Sequence, residues 1–101
     1  MQTQGWVRQV STAGSVGEVL AVTKSYLSTW PERQLTQLPA GCHPPELASP
    51  DDITRYALAL VLAGVQAPSK PSSEIALTCM STFFIDAATR VTHLKREGGA
   101  P

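Results

Sequence analysis

The sequence predicts an all-α fold, a small irregular bundle of three main helices and one short helix. Apolar residues recur at three- and four-residue spacing, the stretches that contain them begin with helix-capping residues, and Pro- and Ser-rich segments separate these stretches. Apart from a few residues near Trp6, no segment alternates strongly enough to predict a strand. We expect an N-terminal arm over residues 1–14, a single helical domain over 15–97 and a tail over 98–101.

The first main helix is expected to begin after the arm, at Ser15. The arm shows no helical spacing, so we expect it to be irregular or briefly extended and to place Trp6 on the domain or on a neighbour. The motif S-V-G-E from Ser15 predicts a capping box, in which Glu18 accepts a hydrogen bond from the Ser15 N–H. The helix should continue to about Thr29, and its apolar face comprises Val16, Val19, Leu20, Thr23, Tyr26, Leu27 and Trp30.

A short helix is expected next, from about Pro31 to Leu38. The proline disfavours helical geometry in the residue before it, and Thr29 with Glu32 matches the pattern of a second capping box. Residues 39–48, PAGCHPPELA, contain three prolines and a glycine. No helix or strand interior tolerates that composition, so the segment is a loop, and its length makes it a candidate for function.

The best-marked helix spans Ser49 to Gln66. Ser49 is a favourable N-cap, and Pro50 at the first helical position loses no hydrogen bond. The two aspartates that follow face the positive end of the helix dipole. The predicted inner stripe comprises Ile53, Tyr56, Ala57, Leu60, Val61 and Gly64. Three more apolar residues lie off it: Leu58, Leu62 and Val65. We therefore expect this helix to pack between the first and last helices, with part of it covered by a second copy of the chain.

The last helix is expected from about Ser73 to Glu97, after a Pro-rich connection over residues 67–73. Gly98 and Gly99 should end it. Its apolar stripe comprises Ala76, Met80, Phe83, Phe84, Ala87, Val91 and Leu94. Ile85 projects from the polar side and, with Leu58 and Leu62, predicts a second apolar surface. The apolar runs are shorter than the roughly 20 residues that a membrane-spanning helix needs.

Composition excludes several classes of function. The formal net charge is zero and 16% of residues are charged, without a basic cluster beyond two adjacent residues near the C-terminus. We therefore expect neither a nucleic-acid nor a membrane partner. The N-terminus lacks the basic and apolar regions of a secretory signal, so a cytoplasmic location is expected. Two cysteines are too few for a disulfide scaffold, and free thiols are the simpler expectation.

Candidate chemistry is limited to one polar set. Its members are Cys42, His43, Asp86, Arg90 and His93. Thiolate and imidazole are zinc ligands, but Cys79 and His93 are about 21 Å apart on one helix at about 1.5 Å per residue, too far to share an ion. Cys42 and His43 are neighbours in the chain, which does not favour a nucleophile–base pair. We expect no metal, no cofactor and no catalytic residue.

Two functional hypotheses follow from these observations. The first is a small non-enzymatic protein–protein interaction module that forms a homodimer or binds another protein. Its interface would use Trp6, Leu58, Leu62 and Ile85. The alternative is a small-molecule-binding or catalytic domain whose site forms where the loop carrying Cys42 meets the flank of the last helix.

Overall fold

The computed structural model describes residues 3–38, 42–66 and 71–97, which form five α-helices and no β-strand. The helices are α1 (Thr3–Ser11), α2 (Val16–Ser28), α3 (Glu32–Leu35), α4 (Pro50–Gln66) and α5 (Pro71–Glu97). The all-α prediction is confirmed, although four of the helices are long instead of three. The predicted tail, the predicted helix end at Gly98 and Gly99, and parts of both connecting segments lie outside the described residues.

The segment predicted to be an irregular arm contains α1, so that prediction is wrong for residues 3–11. Val10 is fully buried, and α1 packs against α2 and α5. The rings of Trp6 and Tyr26 meet edge to face at a centroid distance of 6.0 Å. Trp6, Val7 and Val10 stand at three- and four-residue spacing, but three apolar residues in nine predict only a marginal helix. Packing against two other helices supplies the stability that a nine-residue helix lacks in isolation.

The start of α2 is capped as the sequence predicts, with one difference. The Ser15 hydroxyl oxygen accepts a hydrogen bond from the Glu18 N–H at 3.1 Å. The Glu18 carboxylate accepts from the Gly14 N–H, one residue before the predicted donor. Two backbone N–H groups that have no partner within the helix are thereby satisfied.

The second predicted capping box does not form. The Thr29 hydroxyl donates to the Tyr26 carbonyl at 2.6 Å, so this residue closes α2 instead of opening α3. Pro31 is the N-cap of α3 and provides no side-chain hydrogen bond. The short helix has only four residues, fewer than predicted, yet Leu38 beyond its end is buried.

The helix at the centre of the fold is α5, not α4 as the sequence predicts. It packs against α1, α2 and α4, and two adjacent phenylalanines make the connections. Phe83 stacks on Tyr26 of α2 at a centroid distance of 4.0 Å. Phe84 meets Tyr56 of α4 edge to face at 4.7 Å. Because neighbouring residues on a helix point about 100° apart, two consecutive aromatic residues bind two different helices to α5.

The predicted stripe of α5 is confirmed, since all its members are buried except Leu94, which is half-buried. The inner stripe of α4 is narrower than predicted. Ile53, Tyr56, Ala57 and Leu60 are buried, but Val61 and Gly64 are exposed. Since α5 supplies most of the surface against which α4 packs, the outer residues of α4 stay uncovered.

Two aspartates secure the start of α4 in different ways. The Asp52 carboxylate accepts hydrogen bonds from the backbone N–H groups of Ala48 and Ser49, at 2.9 and 3.0 Å. Asp51 accepts a hydrogen bond from the Lys95 ammonium at 2.9 Å, and this partner lowers the pKa of the Asp51 carboxyl. The second contact ties the start of α4 to the end of α5. No helix within the described ranges is long and apolar enough to cross a membrane.

Candidate functional site

Cys42 lies in the core and not on the surface of its loop. It is 2% exposed, and its backbone carbonyl accepts a hydrogen bond from the Tyr56 hydroxyl. Burial raises the pKa of the Cys42 thiol. A thiol held in its protonated form is a poor nucleophile and a poor metal ligand, so the environment favours a structural role for this residue.

His43, the next residue, points to solvent. Its Nε2 atom lies 3.3 Å from Oε1 of Glu32 at the start of α3, and both side chains are exposed. An ion pair of this kind contributes little to stability because water screens it. The contact places His43 beside α3, away from the rest of the predicted polar site.

The other three predicted site residues lie where α5 meets α1. A cavity of about 230 Å³ opens there, lined by Ser11, Asp86, Thr89, Arg90 and His93. Arg90 uses its Nε–H to bind the Ala13 carbonyl at 2.9 Å, just after the end of α1. His93 lies 3.2 Å from the Glu97 carboxylate, one turn further along α5. Two of the three side chains therefore already have partners within the chain.

The structure thus separates the five residues of the predicted polar site into two groups. Cys42 and His43 contact α4 and α3, whereas Asp86, Arg90 and His93 face α1. Sequence reasoning missed the contribution of α1, because it predicted an irregular arm there. Ligand binding by these five residues stays a prediction, but the structure does not bring them together in one site.

The described residues offer no metal centre and no disulfide. None of them form a group of three or more His, Cys, Asp or Glu side chains that could hold an ion. Cys42 and Cys79 are both free thiols, the first buried and the second half-buried.

The most distinctive surface of the chain is apolar. Four side chains on one side of α4, which we call the outer face of α4, are exposed: Leu58 (59%), Val61 (40%), Leu62 (48%) and Val65 (79%). On α5, Ile75 is 69% exposed and Ile85 is 43% exposed. Of the four residues predicted to form an interface, Trp6 alone packs on its own chain, while Leu58, Leu62 and Ile85 face outward.

Comparisons of this chain with protein-family models, with curated proteins and with solved structures found no match.

Proposed function

We propose that this chain is a non-enzymatic interaction module that self-associates through the outer face of α4. The observation that carries the proposal is that α4 is apolar on two opposite sides. Leu60 is fully buried, and Leu62, about 200° further round the helix, is half exposed. The chain's own core accounts for the first side only.

The spacing of the outer face supports a helical partner. Its four residues stand at i, i+3, i+4 and i+7, which is the pattern by which a helix buries a stripe against another helix. A surface helix of a globular domain normally carries polar residues on that side. Contiguous apolar patches of this kind mark interaction sites more often than isolated exposed side chains do.

A second copy of the chain fits this face by size and by charge. In an antiparallel pair with its two-fold axis between positions 61 and 62, Leu58 lies opposite Val65 of the second copy. Val61 then lies opposite Leu62, so that each large side chain faces a smaller one. Arg55, one turn before the face, stays far from its counterpart, whereas a parallel pair would bring the two guanidinium groups together.

The expected association is weak. Burying the exposed part of each side chain contributes roughly 1 kcal/mol, or roughly 8 kcal/mol for the eight side chains of a symmetric pair. Association itself costs about 4–15 kcal/mol. A dissociation constant no tighter than about millimolar follows from this comparison. A cytoplasmic location belongs to the same proposal, since two unbridged thiols are stable in a reducing compartment.

The test is the concentration dependence of amide chemical shifts, followed from about 10 µM to about 1 mM, with sedimentation velocity in parallel. The wild-type chain should show shifts that depend on concentration along the outer face of α4. Leu62→Glu should abolish these shifts on α4. The control is Ser25→Glu, which adds the same charge to an exposed site on α2. Concentration-independent shifts on α4 in the wild type would contradict the proposal.

A further inference from the structure

A second face of the molecule has the spacing of a coiled-coil helix. Along this face of α5, successive exposed residues are separated alternately by three and by four positions, which is the a/d spacing of a heptad repeat. The residues, which we call the α5 seam, are Ile75, Thr78, Thr82, Ile85, Thr89 and Thr92. Every one of them is exposed, on the side of α5 opposite its buried stripe.

The composition of the seam is unusual for a surface that faces water. All six side chains are β-branched, and the charged residues that normally cover an exposed helix face are absent from these positions. β-branched residues lose side-chain freedom in a helix and form helices less readily than Ala, Glu, Gln or Lys. Packing against another helix would compensate for that disadvantage.

Two threonine hydroxyls of the α5 seam donate hydrogen bonds within their own helix, so a partner can cover them without breaking a hydrogen bond. The Thr89 hydroxyl donates to the Ile85 carbonyl at 2.8 Å, and the Thr92 hydroxyl donates to the Ala88 carbonyl at 3.0 Å. A partner that covers these two residues therefore leaves no hydroxyl donor without an acceptor.

We propose that the α5 seam pairs in antiparallel orientation with the α5 seam of a second copy. Charge selects the orientation. Arg96 is the next position in the heptad, and a parallel pair would place it against Arg96 of the second copy. In the antiparallel pair centred between Thr82 and Ile85, the six uncharged positions cover one another and Arg96 lies beyond the contact.

Side-chain size agrees with the same register. Ile75 lies opposite Thr92 of the second copy, and Thr82 lies opposite Ile85, so that each isoleucine meets a smaller residue. The flanking residues Ser81 and Ala88 are small and allow close approach of the two helices. Positions with a seven-residue repeat drift by about 20° per heptad around a straight helix. Two such helices therefore stay in contact along the α5 seam only if they wind around each other with a left-handed twist and cross at about 20°.

The length of the seam supports a second copy as its occupant. From position 75 to 92 it extends about 26 Å, whereas the outer face of α4 extends about 10 Å at about 1.5 Å per residue. A stable interface buries about 800 Å² on each partner, and the longer contact comes closer to that area. The α5 seam and the outer face of α4 are separate two-fold contacts, so a chain that uses both assembles beyond a dimer.

The experiment isolates the seam by working in the Leu62→Glu background, in which the outer face of α4 is disabled. Sedimentation equilibrium should still show a monomer–dimer equilibrium for this variant. Adding Ile85→Glu or Thr82→Glu should weaken it at least about tenfold, whereas adding Ser25→Glu should leave it unchanged. Circular dichroism confirms that each variant is folded. A Leu62→Glu chain that is monomeric at about 1 mM, or unaffected by both seam substitutions, overturns the proposal but not the proposed role of α4.

Orientation is tested by disulfide formation in a Cys79→Ala background, with Cys42 buried. Thr78→Cys mixed with Thr89→Cys should cross-link faster than either variant alone, because these positions face each other only in the antiparallel register. Preferential cross-linking of Thr78→Cys with itself would overturn the proposed orientation.

Discussion

Tyr56 and Tyr26 are the only tyrosines of the chain, and both are in the core. Burial raises the pKa of each, while the Tyr26 hydroxyl lies 3.2 Å from the Thr3 hydroxyl and the Tyr56 hydroxyl donates to the Cys42 carbonyl. The Tyr56 contact connects α4 to the loop that precedes it. At this scale, burial decides the chemistry of groups that look reactive in sequence.

The raised tyrosine pKa values predict a loss of stability in alkaline solution. In the unfolded chain a tyrosine ionises near pH 10, whereas the folded chain holds both hydroxyls protonated above that value. Their contribution is therefore complete below about pH 10 and declines as the pH rises further. Urea titrations at increasing pH should show this decline, and Tyr56→Phe should reduce it. Tyrosinate absorbance that rises near pH 10 while the chain stays folded would contradict the prediction.

At the scale of single helices, local signals in the sequence locate the helix starts well. The Ser15 hydroxyl caps α2, and the Asp52 carboxylate accepts a hydrogen bond from the Ser49 N–H at the start of α4. Each of these contacts joins residues that are close in the chain, so the sequence can predict it. The same signals fail where a competing local contact takes the capping group, or where packing between helices decides. The Thr29 hydroxyl donates to the Tyr26 carbonyl, three residues back in α2, and α1 forms because other helices cover it.

The cap of α2 leads to a stability prediction. Ser15→Ala should lower the free energy of unfolding by about 1 kcal/mol, because the Glu18 N–H loses its acceptor. Chemical denaturation measures the change. Ser25→Ala, at an exposed interior position of the same helix, is the matched control and should be neutral or slightly stabilising. Equal effects of the two substitutions would show that the cap makes no special contribution.

At the scale of the whole molecule, α5 organises the packing. Its 27 residues extend about 40 Å at about 1.5 Å per residue, close to the longest dimension of the molecule, 43 Å. One side of α5 contacts three other helices through its buried stripe. The opposite side is the α5 seam, so the same helix holds the chain together and presents a surface to a partner.

This arrangement predicts that substitutions of two adjacent residues lower the free energy of unfolding by very different amounts. Phe84→Ala should lower the free energy of unfolding by about 3–5 kcal/mol, because a fully buried ring that contacts Tyr56 is lost. Ile85→Ala should change it by no more than about 0.5 kcal/mol in the monomer, since this side chain is half exposed. Denaturation at low protein concentration tests both. Similar losses for the two variants would mean that position 85 is buried.

The sequence by itself determined the all-α class, the starts of α2 and α4 and the buried stripe of α5, because three- and four-residue spacing and capping are local properties. Only the tertiary structure decided that α5 is the central helix, that residues 3–11 are helical and that Val61 faces outward with Leu58 and Leu62. It also decided that the polar flank of α5 meets α1 and not the Cys42 loop. Burial depends on contacts between residues far apart in the chain, and local periodicity does not contain that information.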